Sequence, residues 1–282
     1  MLTSRKHGPI FIVGTGRSGS FALANFFRSF PEVVSHHELE FNTLLRLGYL
    51  YQTGYLSLEQ VVRELRISYM SHIDAGIRFI DCSNALSRLL LPLSILYPDA
   101  TFINITRHPR RVVSSFFYKF VDLMYPVYGV TKIYEWEQNG RRPNLMPELD
   151  KRIWRFVHAE VLSTDLDEIL INFDEFRFRM ICDYVKNCQL EIDEAIEAHP
   201  QINYFEKQFE TLLDVRILSE FVGNLDLELK NGMETVLNKP TNVAFPKNYF
   251  LTENQQEVFH KVCFSTMERL NYTYDNESFA QY

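Results

Sequence analysis

The sequence predicts an α/β protein with a central parallel β-sheet flanked by helices. Short apolar runs, typical of strands buried on both faces, alternate along the chain with longer segments of helical pattern. The clearest runs are "PIFIVG" (9–14), which ends in a glycine-rich loop, and "ATFINIT" (100–106). Because each helix returns the chain to the same edge of the sheet, this alternation indicates parallel strands.

The remaining elements follow in chain order. A helix with five apolar residues follows the first glycine-rich loop, and Thr252 is a predicted N-cap for the last helix. Further strands are predicted at 32–38, 77–81 and 201–209, and helices within 41–75, at 84–97, 109–124 and 252–270, with 125–200 mostly helical. We see no repeat or linker and therefore expect residues 1–282 to form a single domain.

Composition excludes several classes of protein. The chain of 282 residues is 46% hydrophobic and 23% charged, and its formal net charge is −7. An acidic chain is a poor general nucleic-acid binder, so we expect no nucleic-acid partner. Basic residues cluster locally in "TRHPRRVV" (106–113), which favours a small anionic ligand instead.

The sequence contains no candidate membrane segment. No apolar run approaches the roughly 18–20 residues that span a bilayer, and the longest candidate, 88–97, is interrupted by Pro92. We see no signal peptide before the first strand. The four cysteines form no CxxC pair. We therefore expect reduced thiols, no membrane association and a cytoplasmic location.

The loop after the first strand has the composition of a phosphate-binding loop. Gly14, Gly16 and Gly19 satisfy the dinucleotide pattern GxGxxG, and Gly14 and Gly19 also have the spacing of the nucleotide-triphosphate loop GxxxxGK[ST]. The triphosphate interpretation fails, because Ser20 replaces the lysine and Phe21 the magnesium-binding hydroxyl. The dinucleotide interpretation stays open, since Glu38 or Glu40 could bind a ribose.

A second basic motif suggests a ligand with two anionic ends. In "INITRHPRRVVSSFFYKF" (103–120), Arg107 stands at the carboxyl end of a strand and Ser115 follows eight residues later. Lys119 lies one helical turn beyond Ser115, on the same face. Arginines in the first turn of a helix oppose its dipole, so an anion that neutralises them is expected.

These motifs together resemble the sulfotransferase family, which uses 3′-phosphoadenosine-5′-phosphosulfate (PAPS). "GRSGS" (16–20) resembles the family's 5′-phosphosulfate loop, and the spacing of Arg107 and Ser115 resembles its 3′-phosphate motif. "FETLLDVRILSEFVG" (209–223) and "TMERLNY" (266–272) are similar to its C-terminal segments. The resemblance implies a P-loop nucleotide-hydrolase-like fold, with a motif layout closest to bacterial and tyrosylprotein sulfotransferases.

The resemblance also implies a reaction. A sulfuryl group would pass from PAPS to a hydroxyl or amine by in-line displacement, with 3′-phosphoadenosine-5′-phosphate (PAP) as product and no metal. Arg17 would stabilise charge on the leaving oxygen. The cofactor-binding residues implied are Arg17, Ser18, Gly19, Ser20, Phe21, Arg107, Ser115 and Lys119. Phe209 aligns with an aromatic position near the nucleotide, although core packing explains it equally well.

Glu38 is the candidate catalytic base. It stands 21 residues after Arg17, where several branches of the family place a catalytic glutamate. A carboxylate near the reacting sulfur can remove the acceptor proton as attack proceeds. His37 is the alternative, because an imidazole titrates near neutral pH.

Two positions depart from the family pattern. Phe21 stands where many relatives carry a second threonine, and Cys82 stands in "DCSN" (81–84) where a "DKTP"-like segment has a lysine. Either another cation replaces that lysine, with Arg78 and Arg88 as candidates, or stabilisation of the transition state depends more on Arg17.

The acceptor is expected to be a small molecule, with a glycan or lipid as further possibilities. Its binding region is expected within 40–75 and the helical part at 120–200, where aromatic residues are frequent. Oligomeric state is not indicated. Two other functions remain, a dinucleotide-dependent oxidoreductase and a nucleotide-binding module without turnover.

Overall fold

A five-stranded, all-parallel sheet forms the centre of the fold. The computed structural model describes residues 8–70, 72–73, 77–119, 173–238 and 251–273. Within them the strand order is β2-β3-β1-β4-β5. The strands are β1 Ile10–Val13, β2 Val33–His37, β3 Arg78–Cys82, β4 Thr101–Thr106 and β5 Tyr204–Gln208. The prediction of an α/β fold with a parallel sheet is confirmed.

Helices connect the strands and continue to the end of the described chain. Short 3₁₀ turns occupy Asn84–Leu86 and Phe209–Leu213. The α-helices are α1 Ser20–Phe27, α2 Phe41–Gln52, α3 Leu58–Met70, α4 Leu90–Leu96, α5 Pro109–Lys119, α6 Phe173–Ala198, α7 Val215–Gly223, α8 Thr235–Asn238 and α9 Glu253–Arg269.

The central strands are apolar because helices cover both faces of the sheet. Phe11, on β1, packs against Tyr69, Phe79 and Phe102 at ring-centroid distances of 5.5–6.4 Å. On the other face, Ile10 and Ile12 belong to a buried cluster with the apolar side of α1. β1 is therefore buried on both sides, which explains its unbroken apolar sequence.

The described chain separates into two compact units. The first comprises Met1–Arg107 with Glu191–Val243 and contains the whole sheet. The second comprises His108–Leu190 with Ala244–Tyr282. In the second unit, Arg177 donates to the carbonyl oxygen of Phe117 at 2.8 Å and its guanidinium lies 3.9 Å from the Phe117 ring centroid. The single-domain expectation stays a prediction.

The predicted helix at 84–97 is wrong in detail. The chain forms the 3₁₀ turn Asn84–Leu86 and only then the helix Leu90–Leu96. Leu89, with φ −122° and ψ 15°, departs from helical geometry and separates the two pieces. The Ser83 side chain accepts from the amide of Ala85, which starts the first turn. The other strand and helix predictions agree with the described elements, whereas 120–172 lies outside the described residues.

In the part of the chain that the structure describes, no helix combines the length and apolar character needed to cross a bilayer.

The capping of α9 provides a test of the local structure. Thr252 and Gln255 form a capping box, in which the Thr252 hydroxyl accepts from the Gln255 amide at 3.2 Å. We expect Thr252→Ala to lower the free energy of unfolding by about 1 kcal/mol, because a helix amide loses its acceptor. Urea denaturation measures the change. Thr43→Ala, at an exposed position inside α2, is the control and should cause no loss, since alanine favours helix; equal losses would contradict the capping role.

Candidate active site

The glycine loop lies at the carboxyl edge of the sheet, between β1 and α1. Gly14 has φ +126°, and a Cβ there would clash with the carbonyl oxygen of Ile105 on β4. Ser87 Oγ lies 3.2 Å from the Gly14 carbonyl oxygen and 3.4 Å from its amide nitrogen. The start of the loop is thus held between β4 and the segment that follows β3.

The middle of the loop is a tight turn that leads into α1. Ser18 is buried, and its hydroxyl donates to the Thr15 carbonyl oxygen at 2.6 Å. Arg17 has φ 70° and Gly19 has φ 108°, both in the left-handed region. No side chain caps α1, and its first turn contains no acidic residue. The first amides of a helix carry partial positive charge, so this end of α1 suits an anion.

Arg107 lies against the same loop. Its Nη1 donates to the carbonyl oxygen of Arg17 at 3.2 Å, and its guanidinium carbon lies 5.8 Å from the Phe209 ring centroid. Glu210 Oε1 lies 3.9 Å from Arg107 Nε, a long and partly exposed ion pair of the kind that contributes little to stability. A Cβ on Gly19 would clash with the Phe209 ring. Phe209 therefore packs against both the glycine loop and the Arg107 side chain.

The end of β2 faces the beginning of α1. Ser20 Oγ and His37 Nε2 are 3.2 Å apart, and the Phe21 ring meets His37 edge-on with centroids 5.2 Å apart. Phe21 itself is partly exposed. The imidazole predicted as the alternative base is therefore in contact with the hydroxyl predicted to bind phosphate.

Glu38 lies directly beyond β2 in a left-handed conformation, with φ 56°. Its amide donates to the Cys82 carbonyl oxygen at 3.2 Å, which extends the pairing of β2 with β3 by one residue. Asn84 Nδ2 donates to Glu38 Oε1 at 2.7 Å. The carboxylate is consequently held in one orientation by a neutral donor.

A second carboxyl group lies beneath Glu38. Asp81 is 0% exposed, accepts from the Tyr69 hydroxyl at 2.7 Å and accepts from the Leu39 amide at 3.4 Å. Burial raises its pKa from 3.8 to about 7; the two hydrogen bonds oppose this rise and the charge of Glu38 adds to it.

The two arginines considered as replacements for the family lysine both lie beside acidic residues. Arg78 is at the opposite end of β3 from Cys82, four residues or roughly 13 Å along the strand, beside Asp226. Arg88 forms a 3.1 Å ion pair with Glu191. Cys82 is fully buried, and burial, with Asp81 nearby, raises the pKa of its thiol well above the ordinary value. It is a packing residue.

Ser115 and Lys119 belong to the second unit. Ser115 is buried within α5, and Lys119 is partly buried at the last residue of that helix. Across the described ranges, three or more histidine, cysteine, aspartate or glutamate side chains do not meet as a metal site.

Solved structures were compared with this chain. The sulfotransferase STF9 from Mycobacterium avium matches with a TM-score of 0.50 and 12% identity. The match covers 95% of this chain and 78% of the STF9 chain. The protein has the sulfotransferase fold. The sulfotransferase domain from the curacin biosynthetic pathway gives a TM-score of 0.49 and 13% identity over 96% of this chain and 99% of that domain. A sulfotransferase from Alicyclobacillus acidocaldarius gives 0.43 and 11% over 96% and 98%.

At the level of sequence, no family model matches the chain and no curated protein matches it. The sulfotransferase fold is therefore recognised through structure, with the motifs quoted above as its sequence counterpart.

Sequence reasoning missed two contributors to this site. Asn84 and the pair of Tyr69 and Asp81 reach the Glu38 turn through contacts between residues 46, 12 and 42 positions apart. The "DCSN" segment (81–84) was interpreted only through its missing lysine. Its polar residues at the end of a buried strand were the available signal.

Gly19→Ala tests the packing of the loop. We expect a larger loss in the free energy of unfolding than Gly54→Ala causes. Both positions have positive φ, which costs other residues about 1–2 kcal/mol, but only Gly19 also meets Phe209. Urea denaturation of both variants measures the difference. Equal losses would show that the close approach of Phe209 contributes nothing.

Asp81→Asn tests the buried carboxyl group. Between pH 3.8 and about 7 the native protein holds a proton that the unfolded chain has released. Wild-type stability should therefore fall as pH rises through this range, at up to about 1.4 kcal/mol per pH unit, and then level off. Asparagine does not titrate, so the variant should gain stability relative to wild type across the range. A difference independent of pH would contradict the raised pKa.

Proposed function

We propose that the protein is a PAPS-dependent sulfotransferase that transfers a sulfuryl group to a hydroxyl or amine of a small molecule. The observation that carries the proposal is the convergence of three features at one edge of the sheet. These are the uncapped start of α1 with its glycine loop, the arginine at the end of β4, and the oriented carboxylate beyond β2.

The residues present fit the 5′ end of such a co-substrate. An anion at the start of α1 would accept hydrogen bonds from the backbone amides of Ser18 to Phe21 and from the Ser20 hydroxyl. The first helical turn contains no acidic side chain that would repel it. Arg17 lies within this loop, and Arg107 touches it from β4. Two arginines near this helix start favour a phosphosulfate over an uncharged ligand, because both can form charge-assisted hydrogen bonds to it.

PAPS, when bound, supplies an activated sulfuryl group. In the proposed reaction, Glu38 takes the proton from the acceptor hydroxyl or amine while that oxygen or nitrogen bonds to sulfur. The bond from sulfur to the bridging oxygen breaks, and Arg17 stabilises the charge that this oxygen gains as PAP leaves. Asn84 holds Glu38 in place through a hydrogen bond to Oε1.

The contacts of His37 support Glu38 as the base. His37 Nε2 faces Ser20 Oγ at 3.2 Å, on the side of the predicted phosphate site. An imidazole in that position is suited to orient the hydroxyl or to bind phosphate. Glu38, by contrast, has a hydrogen bond that orients its carboxylate.

The remaining parts of the proposal rest on the sequence motifs. Arg107, Ser115 and Lys119 are proposed to bind the 3′-phosphate. A glycan or lipid acceptor is an extension of the small-molecule proposal, and residues 120–172 of the expected acceptor region lie outside the described residues. A cytoplasmic location is proposed from four cysteines that are all free and buried.

Binding of PAP tests the co-substrate class. We expect calorimetric titration to show selective binding of PAP over NAD and ATP, and at least tenfold weaker binding by Arg107→Ala, because a charge-assisted contact to phosphate is lost. Arg63→Ala is the matched control, since Arg63 is an exposed arginine beside Glu64 on α3. Preferential NAD binding would favour the oxidoreductase, and unchanged PAP binding without Arg107 would contradict the two-phosphate arrangement.

Turnover tests the catalytic assignment. With labelled PAPS and an acceptor found by screening, Glu38→Gln and Arg17→Ala should each lower kcat at least 100-fold, in line with loss of a general base or of charge stabilisation. Glu220→Gln, at an exposed position on α7, should leave kcat unchanged. PAP binding without any transfer by wild type would instead favour the module without turnover, and near-normal turnover by Glu38→Gln would remove its role.

A further inference from the structure

We propose that Asp81 is a positioning residue for Glu38, and that it acts by holding the backbone turn that carries this carboxylate. The inference rests on the proposed function, in which Glu38 is the base. It adds to that function a buried pair, Tyr69 and Asp81, which touches neither co-substrate nor acceptor.

The turn between β2 and α2 is strained. Glu38 and Glu40 have φ 56° and 48°, a region that side-chain-bearing residues avoid. Neither residue is glycine or asparagine, and the Glu40 side chain makes no capping hydrogen bond for α2. Such a conformation persists only where surrounding contacts impose it.

Asp81 supplies one of those contacts from below. Its Oδ1 accepts from the amide of Leu39, the residue between the two strained positions, at 3.4 Å. Its Oδ2 accepts from the Tyr69 hydroxyl at 2.7 Å, and Tyr69 is fully buried in α3. The Tyr69 hydroxyl thus holds the carboxyl group of Asp81, and that carboxyl group holds the backbone at Leu39.

Burial of a carboxyl group is a costly way to fill this space. Asp81 is 0% exposed among aromatic side chains, where an apolar residue would avoid the desolvation penalty. A residue kept for stability alone would not need to be ionisable. Its position under the proposed base gives a physical reason for the cost.

The ionisable groups around Asp81 come from each neighbouring segment. Tyr69 stays neutral, because burial and Asp81 raise its pKa well above the ordinary value. Burial, His72 and Arg28 lower the pKa of His36, the cross-strand neighbour of Asp81. Glu38 and Cys82 interact with this carboxyl directly, and Tyr97 and Glu40 act on its partner Tyr69. Ionisation of Asp81 near pH 7 therefore adds a negative charge close to Glu38 and should be visible there.

Kinetics test the positioning role. Asp81→Ala removes the acceptor for the Leu39 amide, and Tyr69→Phe removes the support of the carboxyl group. We expect each to lower kcat at least tenfold while PAP affinity stays within twofold of wild type. Asp81→Asn keeps an acceptor oxygen and should recover most of the lost kcat, but its pH profile should lack the wild-type inflection near 7.

Tyr97→Phe is the matched control. Tyr97 packs against Phe11, as Tyr69 does, with ring centroids 6.0 Å and 5.7 Å away respectively. The Tyr97→Phe variant also loses a tyrosine hydroxyl from this aromatic cluster, and it should keep the wild-type kcat. If Tyr69→Phe and Asp81→Ala also keep kcat within twofold of wild type, the positioning role is wrong. Tyr69→Phe and Asp81→Asn decide the question if Asp81→Ala does not fold.

A spectroscopic titration separates this inference from the proposed function. With ¹³C-carboxyl glutamate, the Glu38 resonance is assigned by its loss in Glu38→Gln. We expect an inflection near pH 7 in wild type, caused by ionisation of Asp81, that Asp81→Asn lacks. A Glu38 resonance with the same position and the same titration in wild type, Tyr69→Phe and Asp81→Asn would overturn the inference whatever reaction is catalysed. Absence of sulfuryl transfer by wild type would contradict only the proposed function.

Discussion

The parallel pairing of β1 with both β3 and β4 is the constraint on which the site depends. It brings the carboxyl ends of three strands to one edge, so that the glycine loop, the Cys82–Asn84 segment and Arg107 become neighbours. The amide of Ser83 donates to the Ile12 carbonyl oxygen at 2.9 Å, which continues the pairing to the point where the loop begins. A shift of register by one residue would exchange the faces of the side chains and separate these groups.

Backbone strain is concentrated where this edge meets solvent. Three of the five described residues that are not glycine and have positive φ are Arg17, Glu38 and Glu40, all in turns that follow β1 or β2. Such conformations cost about 1–3 kcal/mol each. Hydrogen bonds from Arg107 to Arg17 and from Asn84 to Glu38 help to hold them. Residues with proposed catalytic roles are therefore also residues whose geometry the surrounding fold must maintain.

Much of the fold was predictable because its signals are local. Strand-like segments alternating with helices predicted the five strands of the described residues, glycine spacing located the loop between β1 and α1, and Thr252 marked the start of the last helix. The break at Leu89 was missed because a 3₁₀ turn and a helix share apolar spacing over so few residues. The supports of Glu38 were missed because Asn84 and Tyr69 come together with the turn only after the sheet and α3 have packed. The acidic neighbours of Arg78 and Arg88 were not predictable either, because Asp226 and Glu191 are distant from them in sequence.

A crystal structure of the complex with PAP would test the central claim most directly. The account predicts the 5′-phosphate at the start of α1, within hydrogen-bond distance of the Ser18–Phe21 amides, with Arg17 beside the phosphate and the Glu38 carboxylate facing the position of the transferred group. A nucleotide bound with its phosphates away from this loop, or with Glu38 directed away from it, would contradict the account.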